Sequence, residues 1–119
     1  MERKYDLCNR TKAFALRVIR LYTALPKSGE AQVIGKQLLR SGTSVGAQYR
    51  EATRARSVAE FVSKIQSALQ ELEETSYWLE LLTDSAILPA RKLSDLMKEC
   101  NEITAILVSS VKTARGRIK

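Results

Sequence analysis

The 119-residue chain contains no histidine, two cysteines, two prolines and five glycines, and only 6% of it is aromatic. Without histidine there can be no Ser-His-Asp or Cys-His nucleophile system and no His-ligated zinc. Cys8 and Cys100 are too few for a disulfide framework or a four-cysteine metal centre, and read as small core or boundary residues. Arg10, Lys12, Arg17 and Arg20 interrupt the first apolar stretch, so no export signal is expected. Nor does any apolar run approach the roughly 18–20 residues of a membrane span. A cytoplasmic setting, without membrane contact or bound cofactor, is the expectation. At this length one domain, residues 1–119, is expected.

What is present is helical periodicity. Leu7, Phe14, Val18, Leu21 and Leu25 share one face of a first segment that Pro26, Ser28 and Gly29 terminate. A second segment, from about Glu30 to Arg54, carries Ile34, Leu38, Val45, Tyr49 and Ala52 on one side. Ser41-Gly42-Thr43-Ser44 and Gly46 interrupt it, as a weak point or as a surface for close packing, since glycine costs a helix up to about 1 kcal/mol against alanine. The third segment opens at Ser57-Val58-Ala59-Glu60, a capping-box pattern in which serine and glutamate satisfy each other's backbone donors. Val58, Ile65, Leu72 and Leu79 then recur every seven residues, joined by Phe61, Ala68 and Leu69. After Leu88-Pro89 a fourth segment aligns Leu93, Leu96, Cys100, Ile103, Leu107, Val111 and Ala114. No stretch alternates with period two. The pattern predicts an all-α, antiparallel up-and-down four-helix bundle.

One apolar stripe per helix suffices for a lone bundle, and this chain has more. Leu16 and Ile19 lie off the first stripe, Tyr77, Trp78 and Leu81 lie off the third, and Ile106 is about a third of a turn from the fourth. They read either as scattered surface residues or as a surface for self-association, and their recurrence on several helices favours the second.

The net charge of +7 is unevenly spread. Residues 1–56 hold 12 basic and 4 acidic side chains, residues 57–102 hold 4 and 9, and residues 103–119 hold 4 and none. On the second helix Lys36, Arg40, Arg50 and Arg54 point within about 40° of one direction, opposite the apolar stripe. Such a row can track a phosphate backbone. It can equally be solvated, or pair with Glu71, Glu73, Glu74 or Glu80 of another helix or subunit. Arg40 and Glu51 point the same way but stand about 16 Å apart along the helix, so each needs a partner elsewhere. Arg115, Arg117 and Lys119 form a second basic candidate, an arm at the end of the last helix. No stacking aromatics accompany the cations, so base-specific readout has no support. Glu71, Glu73 and Glu74 read as surface charge, and Ser41–Ser44 has no lysine at phosphate-loop spacing. No active site assembles, and an enzyme is not expected.

Leu38-Leu39-Arg40-Ser41-Gly42-Thr43-Ser44-Val45-Gly46-Ala47-Gln48-Tyr49-Arg50-Glu51-Ala52, Arg54-Ala55-Arg56-Ser57, Glu60-Phe61 and the run from Ala68 to Glu80 resemble the bacterial four-helix bundle family, also called the 23S rRNA intervening-sequence protein family. The likeness is most specific from Leu38 to Leu82, and Gln48-Tyr49 stands where the family often has Asn-Ile or Asn-Tyr. The resemblance implies a left-handed bundle assembled as a ring, typically a homopentamer, with a non-enzymatic role. It also implies partners: RNA or DNA, or a reverse transcriptase, for which a related branch is the accessory protein in diversity-generating retroelements. Two functions follow as expectations. One is a homo-oligomeric bundle that binds nucleic acid through Lys36, Arg40, Arg50, Arg54 and the arm. The other is a protein-interaction scaffold whose charges serve assembly alone.

Overall fold

The computed structural model describes residues 6–116. Four helices account for most of them: α1 (Leu7–Ala24), α2 (Gly29–Thr53), α3 (Val58–Asp84) and α4 (Ala90–Gly116). Each runs antiparallel to the one before it, in a bundle 51 × 25 × 19 Å across its principal axes. Successive helices pack along their lengths, whereas α1 and α4 meet along the thinnest seam. Among the described residues, no helix is long and apolar enough to cross a membrane.

Local chemistry sets the helix ends. Asp6 caps α1 by accepting from the Asn9 backbone N–H at 3.2 Å. Leu25 is extended at ψ 149°, as a residue before proline must be, so α1 stops there. Ser57 caps α3 by accepting from the Glu60 N–H at 3.0 Å. The return bond differs from the expected box: the Glu60 carboxylate reaches the Arg56 N–H at 3.4 Å, one residue before the cap. At the other end of α3, Ala86 adopts φ 61°, and Ile87 N–H bonds back to the Leu82 carbonyl at 3.0 Å. That is a Schellman-type stop with alanine where glycine is usual.

The expected stripes form the core. All seven residues named on α4 are buried, as are Leu7, Phe14, Val18 and Leu25 of α1 and Leu38, Val45, Tyr49 and Ala52 of α2. Leu21 and Ile34 are half-buried. On α3 the buried face rotates along the helix. It comprises Val62, Ile65 and Ala68 near the start, Leu72 at the middle, and Thr75, Leu79 and Leu82 near the end. A seven-residue repeat drifts about 20° per heptad on a straight helix, which supplies part of that rotation. Val58 and Phe61 are only half-buried because they line an open groove of about 750 Å³ with Ile106 of α4.

The glycines of α2 are packing surface. Gly35, Gly42 and Gly46 are all buried and face α1. A Cβ on Gly42 would lie 2.8 Å from Val18 Cγ2, and one on Gly35 would lie 2.6 Å from Leu25 Cδ1. Only a bare backbone lets α1 come this close. Toward α3, the same helix makes a buried polar contact, with Thr75 Oγ1 2.9 Å from Ser41 Oγ and the Leu38 and Glu71 carbonyls as further acceptors.

Candidate nucleic-acid interface

Helix α2 buries one side against α1 and α3, so its remaining arc holds Lys36, Arg40, Arg50 and Arg54 outward, and all four are exposed. They are not equivalent. The Arg40 guanidinium spans to α3, with Nη1 3.4 Å from Glu71 Oε1 and Nη2 bonded to Glu74. Those acids were among the partners its place on the wheel suggested, and they belong to the same chain. Glu51, the other residue in need of a partner, takes Lys64 of α3 at 2.7 Å. Hydrogen bonding to Glu51 raises the Lys64 pKa. Lys36, Arg50 and Arg54 have no carboxylate partner among the described residues.

Two cations outside the expected row join this surface. Lys12 of α1 and Arg50 line a groove of about 360 Å³ between α1 and α2, with Thr43 and Ala47. Arg56, in the turn after α2, is exposed near Arg54. Spacing within one helix could not reveal Lys12, because its place beside Arg50 depends on the register of α1 against the glycines. Arg115 is exposed in the last turn of α4, while Arg117 and Lys119 lie outside the described residues.

Elsewhere charge is spent on the fold. Arg10 grips Glu99 through two hydrogen bonds of 2.7 Å and reaches Glu102 at 3.0 Å. Those bonds raise the Arg10 pKa and hold the Glu99 carboxyl below the usual carboxylate range. Burial, aided by the charge of Glu99, pushes the Cys100 thiol up to about 11, and its Sγ lies 3.4 Å from the Leu72 carbonyl. A thiol so placed is a core atom, not a nucleophile. Cys8 and Cys100 are both free. Among the described residues, no three acids or cysteines are grouped to hold a metal ion.

The residues expected at a self-association surface divide in two. Leu16, Ile19 and Tyr77 are exposed, at 43%, 40% and 53%. Trp78, Leu81 and Ile106 are half-buried, and Trp78 and Ile106 pack against this chain's own core. The Trp78 indole N–H is buried with no acceptor among the described residues, and its ring meets Tyr77 edge-on at 5.1 Å. Two exposed valines escaped the sequence reading, Val33 at 66% and Val108 at 38%. Listing every apolar residue on the outer arc of each wheel would have found both.

Comparison with known proteins agrees with this architecture. No curated protein matches the chain. Among solved structures it is similar to a protein of unknown function from the S23 ribosomal protein family of Bacteroides thetaiotaomicron VPI-5482. The two are 39% identical with a TM-score of 0.84, over 89% of this chain and 98% of that one. The family model described as 23S rRNA-intervening sequence protein matches residues 3–109. The chain therefore belongs to the 23S rRNA-intervening sequence protein family.

Proposed function

We propose that this protein is a non-enzymatic, cytoplasmic, homo-oligomeric bundle, one domain per chain. It is a ring of five as the family resemblance implies, and it binds RNA or DNA through phosphate contacts. The observation that carries the reading is the set of exposed cations left over after internal pairing: Lys36, Arg50 and Arg54 on α2. Arg115, exposed in the last turn of α4, adds to it, and the sequence supplies Arg117 and Lys119 after it. Arg40 contributes less free charge, because Glu71 and Glu74 hold it. Contacts of this kind replace counterions, so affinity falls steeply with salt.

Anisotropy of a labelled single-stranded RNA and a duplex DNA, titrated between about 50 and 200 mM salt, tests this. Affinity should fall at least tenfold across that range, and Arg50→Glu/Arg54→Glu should weaken binding without lowering the melting temperature. Absence of binding at the lowest salt would refute it.

The pairing of Arg40 favours a second reading, a scaffold whose charges serve assembly and whose partner is a protein such as a reverse transcriptase. There the same charge reversals would dissociate the oligomer, seen by light scattering.

A further inference from the structure

The self-association reading leaves open which surfaces meet. Helix α1 contains no acidic residue, and its outward strip sets exposed Leu16 and Ile19 between Lys12 and Arg20. Neither cation has a carboxylate partner among the described residues. On other helices, α3 and α4 flank a groove of about 750 Å³. Leu69, Tyr77 and Val108 supply apolar wall, Thr104 supplies a hydroxyl, and Glu73 and Glu80 stand on its rim. No cation lines it, and neither rim carboxylate has an ion-pair partner among the described residues.

We infer that α1 of one copy seats in the α3/α4 groove of a second copy of this chain. Leu16 and Ile19 meet Tyr77 and Val108, while Lys12 and Arg20 meet Glu73 and Glu80. The spacings agree. Lys12 and Arg20 are eight residues apart, about 12 Å along α1, and Glu73 and Glu80 are seven apart, about 10 Å along α3. A helix laid in a groove with anchors at i and i+3 is a recurrent mode of recognition, and opposed charges fix its register. The contact uses a different surface on each copy, so it repeats head to tail and closes where the rotation allows. It leaves the α2 row uncovered and draws only Lys12, at the edge of that row, into the contact between copies. The inference rests on the homo-oligomer reading above, and the experiment separates the two.

Sedimentation velocity is run on four proteins: wild type, Lys12→Glu/Arg20→Glu, Glu73→Lys/Glu80→Lys, and the four substitutions combined. Circular dichroism melts check that each is folded. Wild type should sediment as a multiple of the 13.4 kDa chain, and each double variant as the monomer. The combined variant, with both signs exchanged, should assemble again. A monomeric wild type would overturn the homo-oligomer reading and this one with it. An oligomeric wild type whose double variants stay assembled would overturn only the choice of faces. The same holds if the combined variant stays monomeric. Loss of RNA binding in an assembled Lys12→Glu/Arg20→Glu variant would give the α1 strip to nucleic acid instead.

Discussion

Against α2, helix α1 lies over a stripe where side chains are missing; against α4, it is tied by one arginine. The first seam runs past Gly35, Gly42 and Gly46, with Val18 and Leu25 against the bare backbone. The second, the thinnest in the bundle, has Arg10 bridging to Glu99 and Glu102. Shape governs one and charge the other, and the difference predicts how each fails. A shape-limited seam should tolerate acid and salt but not a methyl group. A charge-tied seam should do the reverse.

The largest effect is expected at Gly42. Alanine there would put Cβ 2.8 Å and 2.9 Å from the two γ-carbons of Val18, a β-branched side chain with one favoured rotamer on a helix. Val18 cannot swing away, so α1 itself must retreat. Overpacking of this kind costs about 1–3 kcal/mol, and the helix recovers up to about 1 kcal/mol from replacing glycine. Overlap with both γ-carbons puts the cost in the upper part of that range, so a net loss of about 1–2 kcal/mol in urea melts is expected, unchanged between low and high salt. A neutral or stabilising Gly42→Ala would break the comparison, since the first seam would then have room to spare.

Glu99→Gln should come next, at about 1 kcal/mol near neutral pH, because it keeps the shape but removes the charge from a partly buried hydrogen-bonded pair. Its pH dependence has a definite sign. The bonds from Arg10 lower the folded-state pKa of Glu99, whereas in the unfolded chain its carboxyl titrates near its ordinary value of about 4.3. Between those values the unfolded chain takes up a proton that the folded chain refuses. The stabilisation is therefore complete above the ordinary value and fades as pH falls through the folded one. The stability difference between wild type and Glu99→Gln should shrink as pH falls below the ordinary carboxylate value and through the lowered folded one, while that for Gly42→Ala should not.

Much of this architecture was legible before any coordinates. The α4 stripe could be named residue by residue because core burial on a helix follows its period, and Ser57 announced its own cap. Relations between helices were less accessible. Periodicity gives a residue its face but not its neighbour, so the glycines of α2 stood equally for weakness and for close approach until α1 was seen beside them. Arg40 had four candidate acids on the wheel, and only the α2–α3 register selected Glu71 and Glu74. Lys12 went unnoticed for the same reason, because its partner in the groove, Arg50, sits 38 residues away.

The smallest effect is expected at Gly46, and it sharpens the comparison most finely. A Cβ there would lie 3.1 Å from Thr11 Oγ1 and 3.4 Å from Thr11 Cβ, a tight fit but not an overlap. Thr11 is pinned, because its hydroxyl donates to the Leu7 carbonyl at 2.6 Å, so relief must come from a shift of a few tenths of an ångström between the helices. That penalty roughly offsets the helix preference for alanine, and Gly46→Ala should fall within about 0.5 kcal/mol of wild type. A loss as large as that of Gly42→Ala would make the whole stripe uniformly tight, with the Thr11 hydrogen bond as the rigid element. A gain approaching about 1 kcal/mol would show that the helices part toward this end, where the groove between Lys12 and Arg50 opens.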